Sequence, residues 1–64
     1  MEVYIEEKDQ TLMIPPQRSC KEVLSYFGYN TEDVIIVCNG EVVLPTKILK
    51  ENDALKLLSV ISGG

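Results

Sequence analysis

The chain has 64 residues, 45% of them hydrophobic and 25% charged, with ten acidic against six basic side chains and a formal charge of −4. That composition is globular, and the length makes one small domain with no room for a second and little for an enclosed catalytic pocket beside the core. An acidic balance with no basic run argues against nucleic acid and for a basic surface on a protein partner, no apolar stretch nears the roughly 20 residues that cross a bilayer, and the lack of His excludes the usual four-ligand zinc sets.

From the amino end, Glu2 to Glu6 alternates polar with apolar residues, which predicts a first strand with Val3 and Ile5 on one side and Glu2, Tyr4 and Glu6 on the other. Lys8, Asp9 and Gln10 make a polar turn into a second strand, where Leu12 and Ile14 alternate with Thr11 and Met13. Pro15 and Pro16 end it, because neither can donate to a ladder. Ser19 followed by Glu22 is a capping box, hydroxyl and carboxylate each satisfying a backbone donor at a helix start. Cys20, Val23, Leu24 and Phe27 then share one helical face, and Gly28 can take the left-handed conformation that closes a helix.

Val34 to Cys38 is a β-branched apolar run, and Asn39-Gly40 after it signals a hairpin because both residues tolerate positive φ. Glu41 to Leu44 returns, Pro45 interrupts, and Thr46 to Lys50 is expected as a short turn of irregular helix before the polar bend Glu51-Asn52-Asp53. Ala54 to Val60 is the last strand, with Leu55 and Leu57 on one face and Lys56, Leu58 and Val60 on the other. This order sets one helix against one mixed sheet of four to five strands, an α+β domain over residues 1–60. Its expected core is Val3, Ile5, Leu12, Ile14, Val23, Leu24, Phe27, Ile36, Leu55 and Leu57. Residues 61–64 follow as a tail expected to be flexible, since Gly63-Gly64 has no side chains to pack.

The Asn39-Gly40-Glu41 hairpin, the run Asn52-Asp53-Ala54-Leu55-Lys56-Leu57-Leu58 and the ending Val60-Ile61-Ser62-Gly63-Gly64 resemble the ubiquitin-like β-grasp sulfur carriers of bacteria and archaea. Nearest are the thiamine-pathway carrier and the small subunit of molybdopterin synthase, the 64-residue length being closer to the first. The likeness covers the whole chain in length and element order, with its specific motifs from Asn39 onward. It implies a β-grasp, in which the first and last strands lie side by side and parallel at the sheet centre. These families commonly have Gly-Asp at the bend before the last strand; here it is Asn52-Asp53, and Asn is the best substitute for Gly at positive φ.

The resemblance further implies that the working group is the carboxylate of Gly64, adenylated with ATP by a separate E1-like adenylating enzyme. Sulfur from a persulfide-bearing sulfurtransferase then displaces AMP and leaves a Gly64 thiocarboxylate. The acceptor would be an enzyme such as thiazole synthase in thiamine biosynthesis, or, as the alternative, the large subunit of molybdopterin synthase. Such a carrier binds no cofactor or metal, supplies no catalytic residue, works in the cytoplasm, and is a monomer when free of its partners. Its task is delivery: four extended residues from Ile61 reach about 13 Å. Gly63 and Gly64, following Ile61 and Ser62, can thread a channel that larger residues would block. Ordering such a tail costs about 1 to 2 kcal/mol per residue, which docking of the folded body must offset.

Leu58 and Val60, with Ile35 and Val37 on the neighbouring strand, are the docking candidates, because one sheet face has the helix and apolar residues on the other lack an internal partner. Cys20 on the helix stripe and Cys38 at a strand end read as small core residues. The opening MEVYIEEKDQ lacks the basic-then-apolar start of a secretory leader, so both are expected as reduced thiols. Two other functions share the pattern: a ubiquitin-like modifier joined to lysines through Gly64, and a β-grasp interaction domain whose Gly-Gly is accidental.

Overall fold

In the computed structural model, which describes residues 1–60, the strands are β1 (Glu2–Ile5), β2 (Gln10–Met13), β3 (Val34–Cys38), β4 (Glu41–Val43) and β5 (Ala54–Ser59), with one α-helix, α1 (Cys20–Phe27). The tail residues Ile61, Ser62, Gly63 and Gly64 lie outside the described residues. The sheet order is β2-β1-β5-β3-β4, with β1 and β5 parallel and every other pair antiparallel. A parallel pair cannot be joined by a tight turn, and here β2, α1 and the β3–β4 hairpin all lie between the two strands in the chain. This is the small α+β β-grasp arrangement, with the first and last strands adjacent near the sheet centre.

The register shows why the apolar residues alternate as they do. Val3 and Cys38 both pair with Leu55, and Ile5 and Ile36 both pair with Leu57, so two rows of apolar side chains run across the three inner strands. All six are buried, together with Cys20, Val23 and Leu24 of α1 and with Ile14. Leu12 and Phe27, expected in the core, sit half-buried at its margin. Met1 and Leu49 join it from outside the regular elements.

The helix ends follow their local chemistry. Ser19 Oγ accepts the Glu22 N–H at 3.4 Å, and Gly28 takes φ +80°. Past it, the Tyr29 N–H reaches the Leu24 carbonyl at 2.9 Å and the Gly28 N–H that of Ser25 at 3.1 Å, the double bond pattern of a glycine-terminated helix. The segment before the last strand differs from expectation. Thr46 to Lys50 forms no helix; Ile48 bridges Ser19, and the Lys47 and Pro45 carbonyls accept the Cys20 and Lys21 N–H groups at 3.1 and 2.9 Å. Those are first-turn donors of α1 with no partner inside the helix, and carbonyls used within a local helix would not have been free to meet them.

Candidate docking face and tail exit

The site is organised by β5, because that strand lies near the middle of the sheet and leads toward Gly63-Gly64. Its alternation splits the molecule. Leu55 and Leu57 are buried toward α1, while Lys56 and Leu58 turn to the face without a helix. On that face Leu58 stands opposite Ile35, and Val37 stands between Lys56 and Val42. Ile35 is 42% exposed and Val42 73%, with Val37 and Leu58 half-buried between them. Three of the four predicted docking residues, Ile35, Val37 and Leu58, are thus brought together, and Val42 extends them onto the edge strand.

Val42 is the member that sequence reading passed over. It belongs to a returning strand of only three residues, too short for alternation to show, and the available signal was its hairpin partner Val37 across Asn39-Gly40.

Val60, the fourth candidate, is placed elsewhere. It lies one residue past β5, 44% exposed, and its N–H donates to the Asp33 carbonyl at 2.9 Å. With Tyr29, Asp33, Val34 and Ser59 it lines a groove of about 490 Å³ that Glu6 and Glu7 also line. The chain leaves the described fold at this acidic groove. Glu6 and Glu7 reach it because the first strand stops at Ile5 and the chain tightens into a 3-10 turn over Glu6–Lys8, closed by Asp9 at φ +48°. Tyr29 lines the same groove, its hydroxyl donating to Glu7 Oε2 at 3.4 Å.

At the far end of β5 two turns are clamped together. Asn39, at φ +51° in the hairpin, donates from Nδ2 to Asp53 Oδ1 at 2.9 Å and accepts the Ala54 N–H on Oδ1 at 3.0 Å. Asp53 Oδ2 in turn accepts the Lys50 N–H at 2.8 Å. The Lys50 N–H first, and the Asn39 amide second, hold the Asp53 carboxyl below its ordinary value. Asn52, expected to stand in for a positive-φ glycine, is not among the left-handed residues; the bend is held by the Asp53 side chain instead.

Neither thiol is prepared for nucleophilic work. Burial pushes Cys20 up to about 11, and Cys38 is raised chiefly by burial and then by the Asp53 charge. Among the described residues no group of three His, Cys, Asp or Glu side chains is placed to hold a metal ion, and no helix is long and apolar enough to cross a membrane. What the arrangement offers is an apolar sheet face beside β5, the last strand in the sequence before residues 61–64. A profile of the ThiS family matches the chain over residues 2–64.

Proposed function

Because the chain belongs to the ThiS family of ubiquitin-like sulfur carriers, we propose that it delivers sulfur as a thiocarboxylate on Gly64, for assembly of the thiamine thiazole. The observation that carries this reading is the extent of the family match: it runs past the central strand and through Gly63-Gly64. A carboxylate is a poor electrophile. Attack of its oxygen on the α-phosphorus of ATP, with loss of pyrophosphate, gives an acyl-adenylate with a good leaving group. The terminal sulfur of a persulfide then attacks the acyl carbon and releases AMP. Cleavage of the resulting acyl disulfide by a second thiol leaves sulfur on the carrier.

None of these steps asks this chain for an acid or a base; they belong to an E1-like adenylating enzyme and a sulfurtransferase. The carrier supplies binding and reach. Ile35, Val37 and Leu58 seat the body on the activating enzyme, Val60 leads the chain off the fold, and Ile61 to Gly64 enter the partner's site. The same face serves the sulfur acceptor afterwards, thiazole synthase in this assignment. Free, buried thiols at Cys20 and Cys38 suit a reducing cytoplasm.

The test is ATP–pyrophosphate exchange with the chain's own adenylating enzyme. Full-length carrier supports exchange, and after sulfur transfer its intact mass rises by about 16 Da as sulfur replaces oxygen. Removing Gly64 abolishes exchange by drawing the carboxylate back about 3.5 Å. Equal exchange rates for the shortened and full-length chains would sink the carrier reading.

A further inference from the structure

We propose that Lys56 is a specificity-determining residue of the open face, and that the adenylating enzyme meets it with a carboxylate set in an otherwise apolar docking surface. This rests on the carrier reading above and adds the chemistry by which the partner is chosen. Lys56 is the only basic residue in any of the five strands; Lys8, Arg18, Lys21, Lys47 and Lys50 lie in turns, loops or the helix. It is exposed at the middle of β5, between Tyr4 and Val37 across the ladder and between Ala54 and Leu58 along the strand. None of those four neighbours carries a charge. The one hydroxyl among them, on Tyr4, is donated to Asp9 Oδ1 at 2.7 Å. A single ammonium therefore stands among uncharged nearest neighbours, with Glu2 the nearest same-face carboxylate, one diagonal step along β1, on a chain whose net charge is −4.

The physical consequence concerns whatever covers this face. An ammonium stripped of water and left unpaired costs binding energy, so a purely apolar partner would lose affinity at the centre of its contact. A carboxylate there recovers the loss through a charge-assisted hydrogen bond and makes a wrong partner pay by its absence. The four-carbon stem of Lys56 can lie along Val37 and Tyr4 while the head reaches outward, so only the ammonium needs an answer. A second copy of this chain meets the need poorly, since a two-fold contact over this face would bring like charges toward each other. A lysine present only to keep an open sheet soluble would be replaceable by a residue of either sign, whereas a pairing lysine would not.

That contrast sets the experiment, again exchange measured over carrier concentration with the chain's own adenylating enzyme. Lys56→Glu should raise KM about tenfold or more with kcat within about twofold, and added salt should narrow the gap. Lys56→Arg should restore KM toward wild type. Lys56→Gln, which keeps the length and loses the charge, should fall between, and it decides the matter if the Glu variant does not fold. Lys21→Glu makes the same change in net charge on the helix, away from the open face, and should leave KM unaltered. The proposal is overturned if Lys56→Glu keeps the wild-type KM, if Lys21→Glu raises KM equally, or if sedimentation shows the wild type self-associating through this face. Absence of exchange with the wild type is a separate result: the carrier reading itself then fails, before any variant is compared.

Discussion

Leu57 is where the two halves of the core meet, paired with Ile5 on one side and Ile36 on the other and only 2% exposed. Truncating it to Ala removes buried methyl groups and leaves a cavity, at a cost of about 2 to 5 kcal/mol. A domain of this size has roughly 3 to 10 kcal/mol in total, so thermal unfolding of Leu57→Ala should shift strongly downward. An unchanged melt would mean the strand phase is wrong. Cys20 makes a chemical counterpart. With its thiol pushed up to about 11 by burial, it should resist alkylation at neutral pH until the protein is unfolded, as read by intact mass. Rapid labelling of the folded protein would contradict the burial. The strand and helix residues of the core were legible because period 2 and period 3.6 each mark a buried face. Met1 and Leu49 were not, since Leu49 follows Ile48 in a loop without period and Met1 lies outside the regular elements. Their burial comes from long-range contact, as when the Ile14 N–H reaches the Met1 carbonyl at 2.9 Å.

Between elements, the clamp of Asn39 and Asp53 ties the β3–β4 hairpin to the start of β5. Asn39→Gly keeps the left-handed backbone available and removes both side-chain bonds, so it should cost about 1 kcal/mol in chemical denaturation. No loss would show the bonds are exchanged freely with water. The same clamp gives a pH signature. Because the folded-state value of Asp53 is depressed, its contribution is present above the ordinary aspartate range and is lost as pH falls through the depressed value. Thermal melts should therefore fall in acid below about pH 4, and Asp53→Asn should start lower and show a shallower acid limb. Identical acid limbs would remove Asp53 from the account. The hairpin itself was readable from Asn39-Gly40, since its backbone needs two positive-φ residues. Its partner was not, because Asp53 is 14 residues away and nothing local announces the contact. The segment Thr46 to Lys50 was misread for a related reason. The Lys47 carbonyl, with that of Pro45 just before the segment, is claimed by the first turn of α1, a tertiary demand that overrides local preference.

At the scale of the whole molecule, the helix covers one face of the sheet and leaves the other with a cluster of apolar side chains beside the strand that leads to the tail. The open face and three of its members, Ile35, Val37 and Leu58, could be read from alternation, but not Val42 or the separate placing of Val60, because these depend on the edge pairing and on where the last strand stops. The parallel β1–β5 pair came from family likeness, not from local pattern, and it is what sets β5 near the centre with Ile35 and Val37 beside Leu58. In the proposed function this layout would separate recognition from chemistry, and the separation can be measured. Leu58→Asp places a charge where an apolar contact should close, so it should weaken capture by the adenylating enzyme and raise KM for the carrier. The Gly64 carboxylate is untouched by that change, so kcat extrapolated to saturating carrier should stay near the wild-type value. Leu58 is half-buried and paired with Ile35, so a melt is needed alongside, and the less disruptive Leu58→Ala should move KM in the same direction by a smaller step. If both variants are adenylated with the wild-type KM, the body docks through another surface and the tail must be recognised without this face. If kcat falls with KM unchanged, the face acts after binding, by positioning the tail, and Leu58 belongs to alignment of the reacting end instead of to capture.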